Sequence, residues 1–208
     1  MENKDQLVKY TIPQLLRWRV NETGDKVALR EKDFGYWNNY TWNDYYDRVR
    51  KVALGLQKVG IKKGDKLALI GDNIPEMLFM AIGTQSIGAV SVGIYQTTLP
   101  DEIAQLINYM DVTAVFCDDQ EQVDKLVEIR DRIPQVRKVI YEDPRGMRSY
   151  RSDDWFLLIE DLYEIGAASN AESPEKHDTL IEQGRPDDVC HFCLTPGTTG
   201  LSKASMMT

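Results

Sequence analysis

The sequence predicts an α/β fold in which a mainly parallel, doubly wound sheet carries helices on both faces. Three observations predict it. Short apolar runs alternate with helical stretches of about a dozen residues from Lys26 to Tyr141, the order of βαβ units. Those runs are continuously apolar rather than alternating, as strands buried on both faces are. A hydrophobic fraction of 42% over 208 residues is enough to fill the core such a sheet needs.

The elements follow in order. "KVALRE" (Lys26 to Glu31) reads as a short strand, with "TGD" (Thr23 to Asp25) as the turn before it. "YTWNDYYDRVRKVALGLQKVG" reads as a helix. Thr41 caps it, Asp44 stands three residues on, and Trp42, Tyr45, Val49, Val52, Leu56 and Val59 line one face before Gly60 stops it. "KLALIG" (Lys66 to Gly71) is a buried strand. "IPEMLFMAIGTQSIG" is a helix with Pro75 in its first turn and Gly88 near its end. "AVSVGIY" (Ala89 to Tyr95) returns as a strand, and "LPDEIAQLINYM" is a helix whose acidic first turn suits its dipole. "VTAVFC" (Val112 to Cys117), a helix over "QEQVDKLVEIRDRI" stopped by Pro134, and "VRKVIY" (Val136 to Tyr141) complete the alternation. From Glu142 to Gly184 the pattern weakens to a loop and one or two polar helices, and a final strand covers Val189 to Leu194.

Composition excludes some functions. Lys plus Arg number 25 against 33 Asp plus Glu, a net charge of −8, so nucleic acid or an anionic membrane is not the expected main partner. The stretch from Met77 to Pro100 has no charge, but its glycines, serines and mid-course change of period fit a buried helix followed by a buried strand rather than a transmembrane span. With three cysteines and no secretory signal, a reduced cytoplasmic location is expected.

The chain ends in "CLTPGTTGLSKASMMT". Glycines let backbone N–H groups approach phosphate oxygens, hydroxyls add donors, and lysine supplies a point charge. Thr195, Gly197, Thr198, Thr199, Gly200, Ser202 and Lys203 form that set. A Walker A loop fails at two positions: Ser202 replaces its second glycine and Ala204 its Mg²⁺-binding hydroxyl.

An apolar strand followed by Thr-x-Gly-Thr-Thr-Gly-x-x-Lys resembles the phosphate-binding signature of the AMP-forming adenylating enzymes. The stretch from Tyr40 to Ile129, with "GDKVALRE" before it and "YEDPRG" after it, is similar to the amino-terminal region of bacterial long-chain fatty-acyl-CoA ligases. The resemblance implies that residues 1–208 are the amino-terminal portion of the adenylate-forming domain. It implies ATP and Mg²⁺, with fatty acid and coenzyme A as substrates. A fatty acid carboxylate attacks the α-phosphate of ATP, pyrophosphate leaves, and the coenzyme A thiol then displaces AMP. It assigns Thr195, Gly197, Thr198, Thr199, Gly200 and Lys203 to the departing pyrophosphate.

Two departures qualify that expectation. Pro196 stands where the family has Ser, Thr, Ala or Gly, and proline removes an N–H and a hydroxyl and fixes φ. The family's Tyr-Gly-x-Thr-Glu segment, ribose-binding aspartate, hinge and carboxy-terminal lysine do not occur within residues 1–208. This stretch by itself is therefore expected to be inactive, like a truncated ligase, and to self-associate; a non-catalytic remnant or binding module is the alternative.

Elsewhere the expectations are structural. "CHFC" (Cys190 to Cys193) places its thiols on opposite faces of a strand, so packed core cysteines are expected rather than a metal or redox site. His177 lies in the polar "SPEKHDTL" and is expected to be solvated; Asp118, Asp119, Asp153 and Asp154 read as loop or cap residues. Trp42, Tyr45 and Tyr46 read as core.

Overall fold

The structure, a computed structural model, describes residues 9–195 and 203–208. Helix α1 (Ile12–Thr23) leads into a hairpin of β1 (Val27–Asp33) and β2 (Tyr36–Thr41). Its two turn residues, Phe34 and Gly35, have φ of 43° and 88°, the positive pair that a tight hairpin demands. Helix α2 (Trp42–Lys58) starts at a reciprocal cap: Asp44 N–H donates to Thr41 Oγ1 at 3.1 Å, and Thr41 N–H donates to Asp44 Oδ2 at 2.8 Å.

The main sheet then builds through β3 (Lys66–Ile70), α3 (Pro75–Ser86), β4 (Val90–Ile94), α4 (Pro100–Met110), β5 (Ala114–Cys117), α5 (Gln120–Glu128) and β6 (Lys138–Tyr141). It ends with β7 (Phe156–Leu158), α6 (Ile159–Glu172), α7 (Lys176–Glu182), β8 (His191–Thr195) and β9 (Lys203–Met207). The strand order is β7-β6-β5-β3-β4-β8-β9, parallel throughout except for β9.

Side chains alternate across each strand, so the sheet fills two cores. Ala68 and Ile70 of β3 face α4 and α5 with Ile103, Ile107, Val123 and Leu126. Leu67 and Leu69 face α2, α3 and α6 with Val52, Phe79, Met80 and Leu162. Helices α2 and α6 approach closely through glycines: a Cβ on Gly55 would lie 2.6 Å from the Leu162 carbonyl oxygen, and one on Gly166 would strike the Lys51 carbonyl.

The predicted α/β sheet is present, with differences that have physical causes. Helix α1 and strands β2, β7 and β9 were not expected; the short strands exist by pairing with β1, β6 and β8, which local sequence does not specify. The helix expected to run to Pro134 ends at Glu128 and tightens into a 3₁₀ turn at Arg130–Arg132. Burial on both faces holds for β3, β5 and most of β4 and β6, whereas β8 is fully buried only at Leu194 and β9 is largely exposed. His177 is buried, not solvated, because α7 lays it against the Tyr46 ring of α2, 5.2 Å between centroids. Cys190 is half-buried and Cys193 exposed, so neither packs in the core. Asp119 does cap α5, and Tyr45 is core while Trp42 and Tyr46 are half-buried.

Candidate functional site

In open parallel sheets, ligands bind beyond the carboxyl ends of the strands where successive crossovers leave to opposite faces. Here β3 exits to α3 on one face and its neighbour β4 exits to α4 on the other, so the crevice opens between them. Three strand ends are stitched together there. Asp72 N–H donates to Asp118 Oδ2 at 2.6 Å, and Gln96 Nε2 donates to Asp72 Oδ1 at 2.6 Å. Lys125 Nζ donates to the Gln96 carbonyl at 2.6 Å. Gly71 is small of necessity: a Cβ there would collide with the Asp118 carboxylate. Burial pushes the Asp118 carboxyl up from its ordinary range.

On the adjoining strand, β8 pairs with β4 at His191 and Phe192 and, among the described residues, thereafter only with β9. Thr195 and Lys203 form the last pair of that ladder, and Thr195 Oγ1 donates to the Lys203 carbonyl at 3.2 Å. Both side chains are exposed. These two residues, which flank positions 196–202 in sequence, are thus paired at the carboxyl end of a parallel strand. Gly197, Thr198, Thr199 and Gly200, like Pro196 and Ser202, lie outside the described residues. Lys203, read in the sequence as a loop residue, opens β9.

A second group of acids at these strand ends had no signal in the sequence. Burial raises the Glu142 carboxyl to about 7, with the carboxylates of Glu76, Asp143, Glu160 and Glu31 adding to the effect. Burial also raises Glu76. Tyr40 donates to Glu31 Oε2 at 3.1 Å. Glu31 lies on β1, Glu142 and Asp143 follow β6, and Glu76 and Glu160 open α3 and α6, so their convergence depends on packing between elements distant in sequence.

Among the described residues no three His, Cys, Asp or Glu side chains come together to hold a metal ion. Mg²⁺ carried on phosphate oxygens would need few ligands from protein, since it keeps waters and those oxygens in its shell. No helix among the described residues is long and apolar enough to cross a membrane.

The AMP-binding enzyme family matches residues 16–208. The chain belongs to that family. AMP-binding enzymes similar to it include the human long-chain-fatty-acid–CoA ligase ACSBG1, 29% identical over 199 residues, 95% of this chain and 26% of that ligase. Another is ACSBG2 of Xenopus laevis, 26% identical over 211 residues, 100% of this chain and 28% of that ligase. The chain thus spans little more than a quarter of the length of these relatives. Among solved structures, the anthranilate CoA ligase AuaEII in complex with anthranoyl-AMP superposes with a TM-score of 0.80 at 19% identity, over 99% of this chain and 36% of that one. The inhibitor-bound N-terminal domain of FACL13 from Mycobacterium tuberculosis gives 0.68 at 19% identity, over 95% and 44%. These likenesses establish the AMP-binding fold.

Proposed function

We propose that residues 1–208 form the amino-terminal, phosphate-gripping portion of an ATP-dependent, AMP-forming ligase that activates a long-chain fatty acid in the cytoplasm. The carboxylate oxygen bonds to the α-phosphorus, the bond from that phosphorus to the pyrophosphate oxygen breaks, and acyl-AMP results. The coenzyme A sulfur then bonds to the acyl carbon as AMP leaves. In this reading Thr195, Gly197, Thr198, Thr199, Gly200 and Lys203 hold the leaving pyrophosphate. Such chemistry depends on positioning and charge stabilisation more than on covalent help from protein. The observation that supports the reading is the pairing of Thr195 with Lys203, the residues on either side of the motif's central stretch, at the carboxyl end of β8. The fatty-acyl preference rests on the likeness to the long-chain-fatty-acid–CoA ligases ACSBG1 and ACSBG2.

Titration of the purified protein with Mg·ATP or pyrophosphate, with and without Lys203→Ala, tests this assignment. A charge-assisted contact is worth about 1.5–3 kcal/mol, so binding should weaken roughly tenfold or more. Equal affinities remove Lys203 from the site. Pro196 favours a second reading, a binding module that keeps the fold without turnover. Pro196→Ser in a full-length ligase that carries this segment should raise the adenylation rate; an unchanged rate removes that support.

A further inference from the structure

The hairpin of β1 and β2 carries an aromatic tip that stands clear of the body. Every residue from Lys32 to Asn39 is exposed, on both faces of the ribbon. Phe34, Tyr36 and Trp37, three of four consecutive residues, are 90%, 79% and 61% exposed. Single exposed apolar side chains are ordinary, but three side by side on a projection mark an interaction site. The turn sharpens the point. With φ of 43°, Phe34 occupies the left-handed region, where Asn, Asp or Gly fit and a bulky aromatic is disfavoured. Neither backbone geometry nor packing within the chain accounts for phenylalanine there, which leaves contact with another molecule as its role.

The register sorts the charges. Directly paired residues share a face, and successive rungs alternate. The pairs Leu29–Tyr40, Glu31–Asn38 and Asp33–Tyr36 lie on one face, and Arg30–Asn39 and Lys32–Trp37 on the other. The first face turns towards the protein: Leu29 and Tyr40 pack on the core, and the Tyr40 ring lies 5.8 Å from that of Phe79. The second face therefore looks outward. Of the four consecutive charged residues from Arg30 to Asp33, both acids lie on the inward face and both cations on the outward one, beside Trp37.

Two features select the partner. Tyr36 and Trp37 point to opposite faces and Phe34 sits in the turn, so the rings surround the tip rather than form one flat patch. A lipid interface encloses an inserted tip from all sides and can take all three, with indole and phenol at headgroup level. A protein surface would meet one face and leave a ring in water, and four residues fall far short of the roughly 20–30 that each side of a stable protein interface contributes. The outward cations supply charge complementarity. Lys32 and Arg30 lie about 7 and 13 Å along the strand from Phe34, a spacing that suits phosphates above a tip inserted by about 5–10 Å. The net charge of −8 does not prevent this, because a Debye length of about 10 Å at 0.1 M salt lets a membrane meet the local face first.

We propose that the β1–β2 hairpin is a peripheral membrane anchor: Phe34, Tyr36 and Trp37 enter the headgroup–acyl boundary of an anionic bilayer while Arg30 and Lys32 meet lipid phosphates. This contact does not depend on the reading of the phosphate segment.

Flotation of the purified protein with vesicles through a density gradient tests it, since lipid-free aggregates stay at the bottom. The vesicles are phosphatidylcholine alone or with roughly a third phosphatidylserine. The protein should float with the serine-containing vesicles and much less with phosphatidylcholine alone. Phe34→Asn with Trp37→Thr should cut flotation about fivefold or more. The melting temperature should hold, because Asn suits the positive-φ turn and Thr suits a strand. Arg30→Gln with Lys32→Gln should cost roughly fivefold per cation on the anionic vesicles and little on the neutral ones. The same charge removed from Lys62 and Lys63, exposed just ahead of β3, should leave flotation unchanged. A parent protein that stays at the bottom overturns the proposal and returns the aromatic tip to a protein partner. Flotation that survives the aromatic substitutions, or that falls equally with Lys62 and Lys63, overturns it too.

Discussion

The backbone N–H of Asp72 donates to Asp118 Oδ2 across 2.6 Å, so one carboxylate joins the loop leaving β3 to the end of β5. The other oxygen, Oδ1, is buried without a partner among the described residues. Asp118→Ala should leave the Asp72 N–H unpaired and lower stability by about 1–3 kcal/mol. Asp118→Asn keeps an acceptor and should cost clearly less. Urea unfolding of the two variants checks the order; an Asn variant as damaged as the Ala variant would remove the hydrogen bond as the reason.

Two glycines decide how closely α2 and α6 pack. Alanine at Gly55 or Gly166 would gain up to about 1 kcal/mol of helix propensity. The added Cβ would meet backbone in each case, the Leu162 carbonyl from Gly55 and the Lys51 carbonyl from Gly166, and backbone cannot step aside as a side-chain tip can. Overpacking of that kind costs about 1–3 kcal/mol, so the net effect of either substitution should be destabilising. A raised urea midpoint for Gly166→Ala would show that the helices separate freely.

The imidazole of His177 is buried with both ring nitrogens unpartnered among the described residues. Burial holds its pKa down at about 4, with Arg50 and Arg17 pushing the same way and Asp178 opposing them. A depressed folded pKa means that the folded form favours the neutral ring, whereas the unfolded chain takes up a proton near 6.5. Stability is therefore fully present above about pH 6.5 and declines as pH falls towards about 4, by on the order of 3 kcal/mol. His177→Phe should flatten that window and raise stability at neutral pH, since it removes two unsatisfied nitrogens. Chemical denaturation from pH 8 to pH 4 measures both; parallel profiles for parent and variant would show that His177 is not the titrating group.

These cases also show what the sequence discloses. The cap of α2 was legible because Thr41 and Asp44 are three residues apart and nothing distant is required. The continuous apolar runs at Leu67–Ile70 and Ala114–Cys117 likewise announced strands covered on both faces. His177 was misread because its own segment is polar, and only the docking of α7 on Tyr46 buries it. Strand β9 was invisible because "KASMM" has no strong alternation and becomes a strand by lying beside β8. For the candidate site, Thr195 and Lys203 were named from the motif, but their direct pairing was not, nor was the convergence of Asp72, Gln96 and Asp118 from three separate strand ends.

Strand β9 leads to the last prediction. Among the described residues it forms one edge of the seven-stranded sheet, paired with β8 on one side only. Met206 and Met207 on it are 67% and 51% exposed. An open edge with apolar side chains is a template for another chain, so residues 1–208 studied by themselves should associate as concentration rises. The net charge of −8 opposes this at low ionic strength, and added salt should screen that repulsion and promote assembly. Met206→Lys with Met207→Lys places charge on the edge and should disperse the assemblies while leaving the melting temperature nearly unchanged. The same preparation should show no fatty-acid-dependent ATP–pyrophosphate exchange in either form, because groups that act together fail together when several are missing. Size-exclusion chromatography across a salt series, with the exchange assay on each fraction, separates the two causes. A salt-indifferent monomer would refute edge association. Exchange by such a monomer would mean that residues 1–208 hold a complete active site.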